Sequence, residues 1–326
     1  MPSVGMQLTS VVVAFLGIVA YFSYAPLDVH PVDLSGKAYI VTGCTVGGIG
    51  METALILAEW NATVLCSVRS KEKGESVLQQ AAPRLKSSPK GKIEYALVDF
   101  SSFQSVRAFA REVLGRMPKI DGVVLNAGLH LAKSKITVDG LEEEVQVNHY
   151  SQFLLVRLLE KRIIESAPAQ LVFVSSSALF TGALDKNVYE HTKRPQGRTS
   201  MDTYADTKLF NVLTANAFAE RYKKKNIAIR SNSIAPGLVK TNFAETGKGD
   251  PSIDFTAKYL IPIFARNLAQ GAARILQVMT EPAFSKTTGA YLPDYFYTPL
   301  TSQVSRENAE WLWKESSLLV GESSEL

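Results

Sequence analysis

The sequence predicts an α/β fold with one doubly wound parallel sheet and helices on both of its faces. From residue 37 onward, short apolar runs alternate with longer amphipathic stretches. The short runs are continuously apolar, as in strands that are buried on both faces. No repeat or linker divides the chain after residue 28. Although 326 residues would allow two domains, a single domain over residues 28–326 is expected.

The predicted strands and helices follow one another in strict alternation. The apolar runs predict strands at residues 38–41, 62–68, 92–98, 120–125, 171–174 and 227–234. The stretches between them predict helices at residues 51–60, 71–85, 103–116, 141–165 and 203–224. Such an order is typical of successive βαβ units, which place their strands parallel.

Composition excludes several classes of protein. A hydrophobic fraction of 46% is too high for a disordered chain. Two cysteines exclude a disulfide framework, and without Cys/His pairs at zinc spacing no metal site is expected. A net charge of +4 without a Lys/Arg block does not favour nucleic acid as a partner.

The first 27 residues carry no charged side chain and predict an N-terminal hydrophobic anchor. The apolar stretch from Leu8 to Ala25 covers 18 residues, the short end of what a bilayer-spanning helix needs. A cleaved signal peptide and a shallow insertion are the alternatives, although no base precedes Lys37. Because that first base lies after the apolar stretch, the catalytic domain is expected in the cytosol.

A glycine-rich loop follows the first predicted strand and opens the first predicted helix. Its sequence is Thr42-Gly43-Cys44-Thr45-Val46-Gly47-Gly48-Ile49-Gly50. Glycines let the backbone approach a dinucleotide pyrophosphate, and the helix N-terminus offers N–H groups and a positive dipole end. The loop therefore predicts a Rossmann-type cofactor site at Gly43, Thr45, Gly48, Ile49 and Gly50.

The end of the second predicted strand indicates which nicotinamide cofactor is preferred. NAD enzymes usually carry Asp or Glu there, whereas NADP enzymes offer a base. Residues 65–70 contain no acid, and Arg69 is followed by Lys71 and Lys73. Because the guanidinium fork binds two oxygens of a 2′-phosphate, NADP(H) is favoured over NAD(H).

Tyr204 and Lys208 lie four residues apart in the predicted helix 203–224. This spacing places both side chains on one helix face. Because an adjacent ammonium stabilises phenolate, Lys208 is expected to lower the pKa of Tyr204 towards working pH. Tyr204 is therefore a candidate acid/base for the oxygen of an alcohol/carbonyl pair.

The order of motifs resembles the short-chain dehydrogenase/reductase family over essentially all of residues 36–320. The motifs are Thr42-Gly43 with Gly48-Ile49-Gly50, Asp99, Asn126-Ala127-Gly128, Asn148, Ser175-Ser176, Tyr204 with Lys208, and Pro236-Gly237. Segments 98–107, 139–148, 204–213 and 312–316 are most similar to membrane-anchored retinol dehydrogenase-like and polyprenol dehydrogenase-like members. The resemblance implies an oxidoreductase that acts on CH–OH or C=O groups.

The resemblance also implies a role for each matching residue. Tyr204 would be the proton donor or acceptor, and Lys208 would hold the nicotinamide ribose. Ser176 would orient the substrate oxygen, although its two serine neighbours leave the register open by one residue. Asn148 would support a proton relay through water. Further cofactor contacts are implied at Asp99, Asn126, Ala127, Gly128, Pro236, Gly237 and Thr241.

The glycine loop departs from the family's spacing, which has three residues between the first two glycines. Here Gly43 and Gly48 enclose four residues, or else Gly47 is the second glycine and an extra residue follows it. Which glycine takes which role stays open. Cys44 and Thr45 are both candidates for a contact with the cofactor phosphate.

The family places a mobile lid over the substrate at about residues 241–266, which we call the lid segment. Its apolar residues here are Phe243, Ile253, Phe255, Tyr259, Leu260, Ile261, Pro262, Ile263 and Phe264. Beside a membrane anchor, such a lid suits a lipophilic alcohol or ketone of the retinoid, steroid, polyprenoid or fatty aldehyde class.

The resemblance further implies a membrane location, at the endoplasmic reticulum or lipid droplet, and a homodimer through helices 141–165 and 203–224. The alternative function is a non-catalytic, dinucleotide-binding membrane scaffold or sensor. The complete set of Asn148, Ser176, Tyr204 and Lys208 argues against that alternative, because a binding protein need not keep all four.

Overall fold

The computed structural model describes residues 29–88, 90–184, 198–293 and 300–325. Its centre is a seven-stranded sheet in the order β3-β2-β1-β4-β5-β6-β7, with every pairing parallel. The strands are β1 Ala38–Val41, β2 Thr63–Val68, β3 Lys92–Leu97, β4 Gly122–Leu125, β5 Ala169–Val174, β6 Ile229–Ile234 and β7 Tyr291–Leu292. The strand order reverses between β1 and β4, which confirms the predicted doubly wound sheet.

Helices join the strands and cover both faces of the sheet. They are α1 Ile49–Glu59, α2 Lys71–Arg84, α3 Phe103–Arg116, α4 Glu143–Val145, α5 Ser151–Glu165, α6 Ser200–Lys224, α7 Phe243–Thr246, α8 Pro251–Phe255, α9 Ile261–Phe264, α10 Leu268–Thr280 and α11 Arg306–Val320. Two π-helical turns, Gln146–Tyr150 and Thr256–Leu260, link α4 to α5 and α8 to α9. Short 3₁₀ turns occupy Leu85–Ser87, Ser177–Thr181 and Pro282–Phe284.

The apolar side chains form one cluster on each face of the sheet. Helices α1, α2 and α10 contribute to the first cluster, and α3, α5, α6 and α11 contribute to the second. Strand residues alternate between the two clusters, so Ile40 belongs to one and Val41 to the other. Burial on both faces explains the continuous apolar runs of strands such as β1 and β4.

The C-terminal helix α11 packs against both α5 and α6. Its Trp313 is 1% exposed and meets Phe153 and Phe218 edge to face, with ring centroids 5.1 and 4.8 Å away. The guanidinium groups of Arg221 and Arg157 lie 3.8 and 5.0 Å from the centre of the indole. Edge-to-face pairs and cation–π contacts of this kind add to the stabilisation from burial.

The observed elements agree with the predicted ones to within a few residues at most ends. Strand β7 and helices α10 and α11 lie beyond the predicted elements. A π-helical turn interrupts the predicted helix 141–165 at Gln146–Tyr150. Such turns are often found at functional sites, and this one carries Asn148.

The predicted anchor, residues 1–27, lies outside the described residues. Within the described ranges, no helix combines the length and apolar character needed to cross a bilayer. The chain enters the described structure at the amino ends of the strands. There the Leu34 N–H donates to the Trp60 carbonyl at 2.6 Å, and the His30 N–H donates to Glu281 Oε1 at 2.8 Å.

Candidate active site

A cavity of about 770 Å³ lies at the carboxyl ends of the strands, where the strand order reverses. In open α/β sheets this crevice is where ligands bind, because the loops separate there. The glycine loop after β1, the loops after β2, β4, β5 and β6, helix α6 and the lid segment line it. The cavity therefore brings together the elements that carry the predicted site residues.

The glycine loop forms a close backbone cradle at the floor of the cavity. Gly43 has φ +72°, and a Cβ added there would lie 2.8 Å from the Ala127 Cα. A Cβ at Gly50 would lie 2.4 Å from the Asn126 Nδ2. Both positions therefore require glycine, as a loop that brings its backbone close to a phosphate group does.

The extra residue of the loop is accommodated by a turn between Thr45 and Gly48. The Gly48 N–H donates to the Thr45 carbonyl at 2.8 Å, and Gly47 takes φ +76°. Gly48 is the N-cap of α1 and has an extended backbone. Despite the insertion, Thr45, Gly48 and Ile49 all line the cavity.

Cys44 points away from the cavity. It is fully buried, and its thiol donates to the Val41 carbonyl at 3.4 Å. Burial raises the pKa of this thiol well above its ordinary value, because the thiolate is poorly solvated there. Of the two candidates for phosphate contact, only Thr45 faces the cavity.

Basic side chains line the cavity beyond the end of β2. Arg69 and Lys73 both contribute to its wall, and no acid of the β2 end opposes them. Asp99, at the end of β3, also lines it and accepts hydrogen bonds from the N–H and hydroxyl of Ser101. This end of the cavity can hold a phosphate beside a hydrogen-bonding carboxylate.

The loop after β4 closes the floor between the glycine loop and helix α6. Asn126 Nδ2 donates to the Thr42 carbonyl at 2.8 Å, and the Ala127 N–H donates to Thr42 Oγ1 at 2.8 Å. A Cβ added to Gly128 would lie 3.2 Å from Asn148 Oδ1 and 3.5 Å from Lys208 Nζ. Gly128 therefore leaves no space for a larger side chain between the loop and these two predicted catalytic residues.

Ser176 and Tyr204 both line the cavity, with their hydroxyl groups near enough for Ser176 to lower the pKa of Tyr204. The two neighbouring serines are placed differently. Ser175 is buried and donates to the Lys208 carbonyl at 2.7 Å, whereas Ser177 is exposed and begins a 3₁₀ turn. Strand alternation therefore places Ser176, among the three serines, opposite the tyrosine.

The expected lowering of the Tyr204 pKa by Lys208 is not found. Burial raises the pKa of Tyr204 above its ordinary value, the hydrogen bond with Ser176 lowers it, and the Glu144 carboxylate raises it. The Lys208 ammonium lies 5.3 Å from the centre of the tyrosine ring and donates to the Val174 carbonyl at 3.0 Å. Burial also lowers the pKa of Lys208 to about 8, since it disfavours the charged form.

Asn148 is held by backbone groups and lies beside α6. Its Nδ2 donates to the Leu129 carbonyl at 2.8 Å and to Thr207 Oγ1 at 3.1 Å, while its Oδ1 accepts from the Leu129 N–H at 2.8 Å. It is fully buried in the π-helical turn that precedes α5. These three bonds fix the orientation of its amide.

The lid segment has an inner and an outer apolar face. Phe243, Ile253 and Ile261 line the cavity, together with Pro236, Gly237 and Thr241 at its entrance. Other predicted lid residues point outward, with Phe255 55%, Tyr259 49% and Ile263 55% exposed. Only part of the apolar lid predicted from the sequence therefore faces the cavity.

Several residues that line the cavity carry no distinctive sequence signal. Ser67 Oγ accepts from the Gly43 N–H at 3.0 Å and so fixes the start of the glycine loop. Asn242 Nδ2 donates to the Val46 carbonyl at 3.2 Å and ties the lid segment to that loop. Met201, Thr246, Thr256 and Ala257 complete this wall. Their positions follow from tertiary contacts rather than from a local motif.

Comparison with known proteins agrees with this geometry. The family model described as short chain dehydrogenase matches residues 37–250. Human retinol dehydrogenase 11 is 30% identical over 294 residues, which cover 89% of this chain and 87% of the relative. The chloroplastic short-chain dehydrogenase TIC 32 B of Brassica napus is 28% identical over 298 residues, covering 89% of this chain and 91% of the relative.

A solved structure has the same fold. An uncharacterized protein from Mycobacterium paratuberculosis superposes with a TM-score of 0.70, covering 92% of this chain and 98% of its own. The two sequences are 23% identical, so the likeness concerns the fold alone.

Proposed function

The chain belongs to the short-chain dehydrogenase/reductase family and is an oxidoreductase of CH–OH or C=O groups, and on that premise we propose an NADP(H)-linked enzyme for lipophilic alcohols and carbonyls. One observation carries this proposal. The Ser176 and Tyr204 side chains line the same cavity, whose floor is a glycine cradle. A substrate oxygen beside that pair would have both a proton donor and a hydrogen-bonding neighbour.

The residues of the floor fit a nicotinamide dinucleotide. Gly43 and Gly50 let the loop pack closely against Ala127 and Asn126, and the N-terminus of α1 faces the same cavity. The bound cofactor supplies the hydride chemistry. Asp99 would hold the adenine end, Asn126, Ala127 and Gly128 the middle, and Pro236, Gly237 and Thr241 the nicotinamide end.

The protein's own part in the reaction is to place an oxygen and to move a proton. Ser176 would orient the substrate oxygen, and Tyr204 would donate a proton to it or accept one from it. Because burial raises the pKa of Tyr204, its neutral form is stable and serves as the donor in the reductive direction. Lys208 would bind the nicotinamide ribose, and Asn148 would support a relay of protons through water.

The preference for NADP(H) rests on Arg69 and Lys73. Both line the cavity beyond β2, where the 2′-phosphate of an NADP ribose would lie. A planar guanidinium can bind two phosphate oxygens, and a nearby ammonium adds to the attraction. Residues 65–70, at the end of β2, contain no carboxylate that would favour a free 2′-hydroxyl.

The substrate class follows from the inner face of the lid segment. Phe243, Ile253 and Ile261 form an apolar wall beside the Ser176 and Tyr204 hydroxyls. Such a wall suits a retinoid, steroid, polyprenoid or fatty aldehyde rather than a polar metabolite. The similarity to human retinol dehydrogenase 11 supports a lipophilic alcohol.

The proposal includes membrane attachment through residues 1–27, with the domain of residues 28–326 in the cytosol at the endoplasmic reticulum or lipid droplet. The uncharged apolar sequence supports this attachment.

The proposal also includes a homodimer through α5 and α6. Since α11 packs on both helices, a dimer formed on that face would include α11 in the contact.

A panel of lipophilic alcohols and carbonyls, assayed with NADP(H) and NAD(H), tests the proposal. Oxidation or reduction is followed by nicotinamide absorbance. We expect turnover of at least one lipophilic class, with NADP(H) preferred. Dinucleotide binding without turnover of any class would instead support the scaffold or sensor function.

A further inference from the structure

A fully buried imidazole lies between two carboxylates next to the candidate active site. His130 Nδ1 lies 2.9 Å from Glu144 Oε1, and His130 Nε2 lies 3.4 Å from Asp250 Oδ2. His130 and Glu144 are 0% exposed, and Asp250 is 6% exposed. Among the described residues, His130 Nε2 makes no aligned hydrogen bond, so its contact with Asp250 counts as an ion pair by distance alone. Neither carboxylate belongs to the predicted catalytic set.

Asp250 is part of the lid segment and also reaches the catalytic helix. It caps α8 by accepting from the Ser252 N–H at 2.8 Å and the Ile253 N–H at 3.4 Å. It also accepts a hydrogen bond from the hydroxyl of Ser200, the first residue of α6. Ser200 precedes Tyr204 by one helical turn, so Asp250 joins the lid segment to the helix that carries the candidate acid/base.

The charge state of Asp250 suits this link. Burial raises the pKa of Asp250, but the hydrogen bonds from Ser200, Ser252 and Ile253 lower it by more than burial raises it. The pKa of Asp250 therefore falls below its ordinary value. The carboxylate is therefore ionised at neutral pH and attracts the neighbouring imidazole when Nε2 of His130 carries a proton.

The lid segment also rests directly on the His130 side chain. The His130 N–H donates to Thr246 Oγ1 at 3.4 Å. A Cβ added to Gly247 would lie 2.5 Å from His130 Cδ2, so the backbone packs against the ring there. On its other side, the ring meets Tyr204 at 79°, with centroids 5.5 Å apart. The His130 side chain thus contacts both the lid segment and the candidate catalytic tyrosine.

We propose that His130 is a positioning residue that holds the lid segment closed over the cavity through its contact with Asp250. Glu144 orients the ring from the opposite side, where it also accepts from the Leu131 N–H at 3.1 Å. The inference rests on the proposed function only in that the cavity is taken as the substrate site. His130 itself takes no part in hydride or proton transfer.

Two substitutions remove this contact while keeping most of the surroundings. Asp250→Asn keeps an oxygen to cap α8 but loses the charge that faces both His130 and the Ser200 hydroxyl. His130→Asn keeps a donor near the position of Nδ1 for Glu144 but lacks a group at the position of Nε2. Asp254→Asn is the matched control, because it makes the same change on an exposed residue of the same helix.

Amide hydrogen exchange of the full-length protein measures how often the lid segment opens. In both variants, residues 243–264 should exchange about tenfold faster, as the loss of one charge-assisted contact predicts. The double variant should exchange no faster than the Asp250→Asn variant, because both changes remove the same His130–Asp250 contact. The control should match the unmodified protein.

Three results would overturn the proposal. They are unchanged exchange in both single variants, additive effects in the double variant, or an equal gain in exchange across β1 and β4, which would assign His130 to global stability. Once a substrate is known, the KM of both variants should rise several-fold while kcat changes little. Exchange needs no substrate, so a chain that turned over nothing in the panel would still give a decisive result.

Discussion

The ammonium of Lys208 lies over the ring of Tyr204, 5.3 Å from its centre, and donates its hydrogen bond to the Val174 carbonyl rather than to the phenol oxygen. In this arrangement Lys208 has less effect on the pKa of Tyr204 than their spacing along α6 suggests. Burial then has the larger effect on both groups, raising the pKa of Tyr204 and lowering that of Lys208. Burial of the Lys208 ammonium therefore disfavours the folded state.

Replacing Lys208 by Met should raise stability while abolishing turnover. Burial lowers the lysine pKa from 10.5 to about 8, so the folded protein holds this proton less tightly than the unfolded chain does. That shift corresponds to a penalty on the order of 3 kcal/mol. The Val174 carbonyl would keep its hydrogen bond from Asn211 Nδ2 at 3.2 Å.

The pH dependence of the Lys208→Met gain has a definite sign. Below about pH 8 the lysine is charged in both states, and the whole penalty is present. As the pH rises from 8 towards 10.5, the folded protein loses the proton first and the penalty fades. Urea unfolding should therefore show a larger gain at pH 7 than at pH 10. An equal or smaller gain at pH 7 would contradict the buried-charge account.

Replacing Gly50 by Ala should disrupt the cofactor cradle. The new methyl group would lie 2.4 Å from Asn126 Nδ2 and 2.8 Å from the Gly43 carbonyl, so the loop must shift. We expect dinucleotide affinity to fall by at least about tenfold, which is about 1.4 kcal/mol. Titration of the dinucleotide with fluorescence detection measures this loss.

Gly115→Ala is the matched control for Gly50→Ala. Gly115 lies in α3, and an added Cβ there would meet nothing within 4 Å. Alanine in a helix should then raise stability by about 0.5–1 kcal/mol and leave dinucleotide affinity unchanged. If both alanine variants bound the cofactor equally well, the glycine loop would not be the phosphate site.

Replacing Arg69 by Ala should weaken NADPH binding more than NADH binding. A charge-assisted hydrogen bond to the 2′-phosphate contributes about 1.5–3 kcal/mol, so the Kd for NADPH should rise about tenfold or more. The Kd for NADH should change by less than about twofold. Calorimetric titration with both cofactors measures the difference, and Arg111→Ala, an exposed residue of α3, serves as control. Equal losses for the two cofactors would remove Arg69 as a selectivity residue.

Replacing Trp313 by Ala should destabilise the fold strongly. The indole is 1% exposed, packs on Phe153 and Phe218, and donates from Nε1 to the Ser324 carbonyl at 2.8 Å. Loss of a buried tryptophan costs about 3–5 kcal/mol. Trp311→Ala, at a half-buried residue of the same helix, should cost about 1 kcal/mol. Thermal unfolding of both variants checks the ranking, and a smaller effect at Trp313 would refute this packing.

Much of the sheet could be predicted because strands such as β1 and β4 leave continuous apolar runs that alternate with amphipathic helices. Strand β7 has only two residues, Tyr291–Leu292, and its pairing with β6 depends on a contact far along the chain. The same holds for α11, whose place on α5 and α6 is set by Trp313. Sequence periodicity cannot show which helices such a segment will cover.

The candidate site could be located from motifs, but its electrostatics could not. Strand alternation separates Ser176 from Ser175, but the sequence left the register open by one residue, and only the structure shows Ser176 facing the cavity with Tyr204. The direction of the Tyr204 pKa was predicted wrongly, because burial is a tertiary property that spacing on a helix does not report. His130, Glu144 and Asp250 come from three separate segments of the chain, so no local sequence pattern predicts that they are in contact.

The most direct test of the account is the rate of nicotinamide absorbance change with the Tyr204→Phe variant and the best lipophilic substrate of the panel. The substitution removes one hydroxyl and keeps the buried ring. We predict that turnover falls by at least about a hundredfold, while NADPH binds as tightly as it does to the unmodified protein. Turnover within a factor of two of the unmodified protein would contradict the assignment of Tyr204 as the acid/base.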